Sequence, residues 1–204
     1  MGIGASALSK EPNPFTKQIA ELLNLHYVEY SAEGCSNEHI FRYISYANTQ
    51  YTNAIIIPVF TYLTRIELID KEIGYVPQLN SGMLKNFKFK ERRKQTEMYF
   101  GYIFNEQHEV LRFWNRLYDS QLATTAKGNT LIGIWDITHD YDQITSIHSN
   151  KSGMNDIINF KEYCFTNDNL LFDYPLEKMR NNELYMSSQS HTQYAQLLTN
   201  GKPQ

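Results

Sequence analysis

The stretch that most constrains this chain runs from Glu91 to Leu122, where Phe100, Ile103, Val110, Trp114, Leu117 and Tyr118 recur at helical spacing. An apolar and aromatic stripe of that length must be buried against something. It predicts a central core helix or an arm that packs on a partner. Shorter stripes precede it. Asn13-Pro14 reads as cap and first residue of a helix carrying Phe15, Ile19, Leu22 and Leu23 on one face. Ser36 or Asn37 caps a second helix with Ile40, Phe41, Ile44 and Ala47 inside. The third segment opens on the β-prone Ala54-Ile55-Ile56-Ile57, but from Pro58 the run Val59, Tyr62, Leu63, Ile66, Ile69 is helical in period. It is read as one helix beginning or kinking at Pro58 and stopped by Gly74 and Pro77.

The expected fold class is therefore mainly α. A flexible N-terminus (1–12) precedes a compact helical domain (13–125), and an irregular, partly extended C-terminal region (126–204) follows. Within that last region Thr130-Leu131-Ile132-Gly133-Ile134-Trp135 is strand-like. Short helices are expected near Ile157–Phe165 and Leu184–Leu198.

Composition narrows the function classes. The 42% of apolar residues can build a real core, and the net charge of −3 excludes a globally basic nucleic-acid binder. Cys35 and Cys164 are too few for a disulfide framework, and without a C-x-x-C pair they make no structural zinc site. No apolar run approaches the roughly 18–20 residues that span a bilayer. No secretory signal opens the chain. The reading is an intracellular protein, cytoplasmic or organellar, with no cofactor. Its 15 Tyr against 2 Trp hint at contact surface, since Tyr offers area with a polar tip.

Four features are candidate sites. Lys85, Phe87, Lys88, Phe89, Lys90, Arg92, Arg93 and Lys94 form a basic run interleaved with two Phe. Its six cations and Glu91 give a local charge of +5, suited to an acidic partner or an anionic surface. Cations at a helix start oppose the macrodipole, which makes a purely structural role less natural. Met1-Gly2-Ile3-Gly4-Ala5-Ser6 fits the N-myristoylation pattern, so that Gly2 would carry a lipid and bring peripheral membrane contact. One acyl chain anchors only marginally. Cys35, ahead of a helix start where amide donors lower a thiol pKa, could combine with His139 or His148 and with Asp136, Asp140 or Asp142 as nucleophile, base and orienting acid. The segment Trp135–Asp142 gathers three carboxylates and one imidazole, but its spacing suits neither an EF-hand nor a two-His metal site.

The stretch Ile40 to Ile69, with Thr49-Gln50-Tyr51-Thr52 leading into Val59-Phe60-Thr61-Tyr62-Leu63-Thr64-Arg65-Ile66, resembles the first two helices of a cyclin box. Kinase-regulating cyclins carry a Tyr-Leu-x-Arg-hydrophobic run there. The resemblance implies a stack of helices and a cyclin-like regulator of a protein kinase, and no functional residue is carried over from it. Three functions are thus expected, in this order: a non-catalytic accessory or scaffolding subunit docking into a larger assembly of proteins; the cyclin-like regulator; and a lipid-anchored Cys-dependent hydrolase.

Overall fold

The computed structural model describes residues 2–4, 13–31, 35–68, 76–79, 90–135 and 188–200. Most of these residues are helical, so the chain is mainly α as expected. The helices are α1 (Phe15–Leu22), α2 (Asn37–Gln50), α3 (Lys90–Met98), α4 (Glu106–Ala126) and α5 (Ser188–Asn200). A π-helical turn, Tyr99–Ile103, continues α3.

The helices are organised by a small parallel sheet, in the order β2 (Glu29–Ser31), β1 (Gly2–Gly4), β3 (Ile55–Phe60) and β6 (Thr130–Leu131), with β7 (Ile134–Trp135) also paired to β3. Gly2 sits opposite both Glu29 and Ile57, so residues 2–4 are not a tail but the strand between β2 and β3. β6 and β7 are one interrupted strand along β3. The interruption, Ile132–Gly133, falls opposite Ile57–Pro58, where proline has no N–H to give to a ladder.

The helical reading of the third segment is overturned here. Ile56–Phe60 is buried throughout, because helices cover both faces of β3. A strand buried on both faces is a continuous apolar run and shows no alternation. On the α1 side, Ile57 lines one cavity with Ile19 and Ala20. Ile56 and Phe60 point into the opposite core with Ile44, Phe113, Trp114 and Leu117 from α2 and α4. The structure also places strand β3, and then β4 (Ile66–Leu68), where the cyclin-box resemblance implies a second helix.

The long helix expected over Glu91–Leu122 is two. Phe104 turns extended, and Asn105 caps α4 by accepting a hydrogen bond from the His108 N–H at 3.0 Å. α2 begins at the expected cap: the Ser36 hydroxyl accepts from the His39 N–H at 3.2 Å. In α1 the cap is Pro14, one residue later than expected. α4 is tied to α2 by Arg112, 2.7 Å from Glu38.

The C-terminal region is not wholly an extension. Its strand-like stretch completes the sheet, and α5 packs on α1, with Tyr194 fully buried edge-on to Phe15 at 4.9 Å between ring centroids. The expected helix near Ile157–Phe165 lies outside the described residues. The amino edge of the sheet is closed by buried amides. The Asn129 side chain accepts from the Ala54 N–H at 2.8 Å and donates to Asn48 Oδ1 and the Tyr51 carbonyl, both at 3.0 Å.

Candidate functional site

In an open parallel sheet the usual ligand crevice lies beyond the carboxyl ends of two neighbouring strands whose following connections run to opposite faces. Here those strands are β1 and β3. The chain leaves β1 into α1, on the face shared with α5, and its path from β3 to β6 runs through α4, on the face shared with α2. The two connections thus run to opposite faces from the carboxyl ends of β1 and β3.

Side chains from three elements meet at this edge. Asn37, the first residue of α2, clamps the residue that follows β3: its Nδ2 donates to the Thr61 carbonyl at 3.0 Å, and its Oδ1 accepts from the Thr61 N–H at 2.8 Å. The Thr61 hydroxyl is fully buried, with no hydrogen-bond partner among the described residues. Arg65 lies over the Tyr62 ring, 5.2 Å from its centroid. Glu67, in β4, accepts from the Ser36 hydroxyl at 2.5 Å and holds Arg42 through both oxygens, at 2.6 and 3.0 Å. His39 lies beside this pair, with Nδ1 3.2 Å from an Arg42 nitrogen. Burial pushes the His39 pKa below its usual value and the Arg42 charge adds to that, against an opposing pull from Glu67.

A buried imidazole, that of His191, lies in the first turns of α5. It is 1% exposed and lies against the first turn of α1. The ring is nearly parallel to Phe15 at 6.0 Å, and the Phe15 N–H donates to Nδ1 at 3.2 Å. That bond makes Nδ1 an acceptor, so the ring is neutral with its proton on Nε2. His191 therefore joins α5 to the start of α1, the helix that follows β1 in the chain. The sequence reading did not single out this residue. Its one local signal is the pair His191 and Tyr194, three apart on one helix face.

The residues singled out from sequence fare differently. Cys35 is at the carboxyl edge but buried at 2% exposure, in the core cluster with Ile40, Phe41 and Phe60. It therefore packs as a small apolar residue rather than standing open to solvent as a nucleophile. His139, His148, Asp136, Asp140 and Asp142 lie outside the described residues. Of the basic run, Lys85, Phe87, Lys88 and Phe89 also lie outside them, whereas Lys90, Arg92, Arg93 and Lys94 fall in α3, with Lys94 exposed. Gly2 is held in β1 between two strands. Among the described residues no group of three His, Cys, Asp or Glu could hold a metal ion, and no helix is long and apolar enough to cross a membrane. No protein-family model, no curated protein and no solved structure matches the chain.

Proposed function

We propose that the chain is a hydrolase of esters or related acyl compounds, working at the carboxyl ends of β1 and β3. The observation that carries this reading is His191, a buried neutral imidazole against the first turn of the helix that follows β1. Ser6 is the nucleophile. It lies outside the described residues, and in sequence it follows Gly4, the last residue of β1, by two positions.

In the first half-reaction the Ser6 oxygen bonds to the acyl carbon as its proton passes to His191. The bond from acyl carbon to alcohol oxygen breaks, and the imidazole gives the proton to the departing alcohol. Water then repeats the sequence and frees Ser6. Receiving a proton at Nε2 requires the ring's own proton to sit on Nδ1, so the working state gives up the Phe15 N–H contact. A fluorophosphonate probe with mass spectrometry tests the reading. Labelling of Ser6 that is lost in Ser6→Ala and His191→Gln is expected, with hydrolysis of p-nitrophenyl acetate lost alongside. A folded protein whose Ser6 stays unlabelled overturns it.

A second reading, an accessory subunit that docks into a larger assembly, draws on exposed apolar groups. Met98, Tyr102 and Ile103 around the π-helical turn are 52%, 88% and 65% exposed, and π-turns recur at functional positions. At the β2 edge, Tyr30 stacks on Tyr43 and meets the half-exposed Tyr46 edge-on. Affinity purification with a C-terminal tag tests this reading. Stoichiometric partners lost on Tyr102→Ser and Ile103→Ser support it, and recovery of the protein alone refutes it.

A further inference from the structure

The cavity on the α1 side of the sheet, about 210 Å³ in volume, lies at the amino end of β3. Its aliphatic wall combines Ile19 and Ala20 of α1 with Ile55 and Ile57 of β3. Two short returns of the chain close its sides. One leads from α1 towards β2: Asn24 takes a left-handed conformation (φ 53°), and the Leu25 N–H donates to the Ala20 carbonyl at 2.7 Å. The other leads from α2 into β3: Asn53 is left-handed (φ 55°), and the Asn129 side chain accepts from the Ala54 N–H at 2.8 Å. Leu25, Asn53 and Ala54 all line the cavity, so its walls are fixed by bonds that exist before any ligand arrives. The antiparallel pair of β4 with β5 (Val76–Leu79) joins no strand of the parallel sheet and lends this cavity no wall.

Charge, size and hydrogen-bond polarity together decide what fits. No Asp, Glu, Lys or Arg lines the cavity, so an ionic ligand would lose its water and meet no counter-charge. A dry cavity of roughly 150 Å³ takes benzene, which leaves room here for a substituted single ring. Of the polar groups in the wall, His26 and Asn53 are exposed and mark the mouth. The Tyr51 hydroxyl is 3.3 Å from that of Tyr30, and Thr16 is buried at 2% exposure. The Thr16 hydroxyl lies 3.1 Å from the Tyr27 hydroxyl, which in turn donates to a Glu29 carboxylate oxygen at 3.1 Å. A carboxylate only accepts, so the single phenol proton of Tyr27 goes to Glu29, and Thr16 is the donor to Tyr27. Burial, more than any other cause, pushes the Tyr27 pKa above its ordinary 10 and keeps that proton in place. Thr16 then has no proton left to give and offers a ligand only its lone pairs.

We infer that this cavity is a binding site for a small neutral phenol, whose hydroxyl donates to Thr16 while its ring fills the space between α1 and β3. Apolar contact supplies the affinity, and the one hydrogen bond selects among compounds of similar shape, because an ether or a bare ring leaves Thr16 without a donor. The site is at the opposite end of β3 from the one where hydrolysis is proposed, so it stands or falls without reference to that reading.

Titration of the full chain with p-cresol, its methyl ether and toluene, followed through the backbone amide signals by NMR, tests it. The three share a methylated ring, and p-cresol alone carries a hydroxyl. It is expected to bind roughly tenfold more tightly than either of the others, with the largest shifts at Thr16, Ala20 and Ile55 to Ile57. Thr16→Val should remove that preference and leave toluene binding unchanged, whereas Thr16→Ser should keep it. Tyr27→Phe frees the Thr16 proton, so the methyl ether should gain on p-cresol. Ala54→Leu, which fills the cavity, should abolish binding of all three while the remaining amide signals stay dispersed. p-Cresol that leaves these amides unmoved, or that binds wild type no better than toluene, overturns the inference. So does a preference for p-cresol that survives Thr16→Val in a protein whose spectrum shows it folded.

Discussion

Replacing Asn37 by Ala should cost about 3 kcal/mol, and the structure shows why. The side chain makes two hydrogen bonds to one residue, at 2.8 Å from the Thr61 N–H and 3.0 Å to the Thr61 carbonyl. Asn37 is 9% exposed and Thr61 is fully buried. A net loss of about 1 kcal/mol per bond gives roughly 2 kcal/mol, and stranding two buried backbone groups adds about 1 or more each. Alanine's better helix propensity returns only a few tenths to about 0.7 kcal/mol at a helix start. Out of the roughly 5–15 kcal/mol available to a domain, the remainder is a large share. Asn37→Asp sharpens the test. An ionised carboxylate still accepts from the Thr61 N–H but turns its second oxygen against the Thr61 carbonyl. The variant should therefore be weakest at neutral pH and recover as acid protonates the new carboxyl, which then donates to that carbonyl. Equilibrium urea unfolding followed by the emission of buried Trp114, with the slope compared between variants, measures the effect. A loss under about 1 kcal/mol for Asn37→Ala at unchanged slope would refute the reasoning, for water would then have replaced the amide at no great cost.

Further outcomes follow from the same geometry. Asn129→Ala removes three hydrogen bonds that join β3, α2 and the end of α4, so urea unfolding should show a loss of about 3 kcal/mol, partly shared with Asn48→Ala in a double-mutant cycle. Phe15→Ala empties a fully buried site against Tyr194 and His191; it should cost about 3–5 kcal/mol and raise exchange in α5 before the rest. The His39 pKa lies below its ordinary 6.5, chiefly through burial and then through Arg42. The unfolded chain therefore binds more protons below that pH, and stability present above about pH 6.5 declines as the pH falls; a series of unfolding curves should show this, and His39→Gln should flatten it. Burial, with Glu109 beside it, raises the Tyr99 phenol to about 12. Its contribution is complete below the ordinary 10 and is lost as the pH rises through 12, so Tyr99→Phe should unfold later in an alkaline titration followed by far-ultraviolet circular dichroism.

Much of the helical framework was legible in the residues themselves. Ser36 announced α2, and Ile40, Phe41, Ile44 and Ala47 correctly named its buried face. The stripe through Val110, Trp114 and Leu117 identified the core face of α4. The break at Phe104–Asn105 was missed because an Asn cap inside a continuing aromatic stripe is a weak local signal. The carboxyl-edge cluster was less legible. Cys35 stood out by chemical type yet is buried in the core, whereas Asn37, Thr61, Glu67 and His191 are ordinary residues until the fold brings Asn37 to Thr61, Glu67 to Ser36 and His191 to Phe15. Glu67 and Ser36 lie 31 positions apart, and Phe15 and His191 176 apart, so no window of sequence contains either pair.

By itself, then, the sequence determined where α2 starts and which faces of α2 and α4 are apolar, since the Ser36 cap and a 3.6-residue period are written in neighbouring positions. Tertiary structure alone decided that Ile55–Phe60 is a strand, that Gly2–Gly4 is its partner, and that α5 returns to cover α1. A three-residue strand has no period to display, and a strand covered on both faces has no alternation. Parallel pairing also needs a neighbour brought from far along the chain.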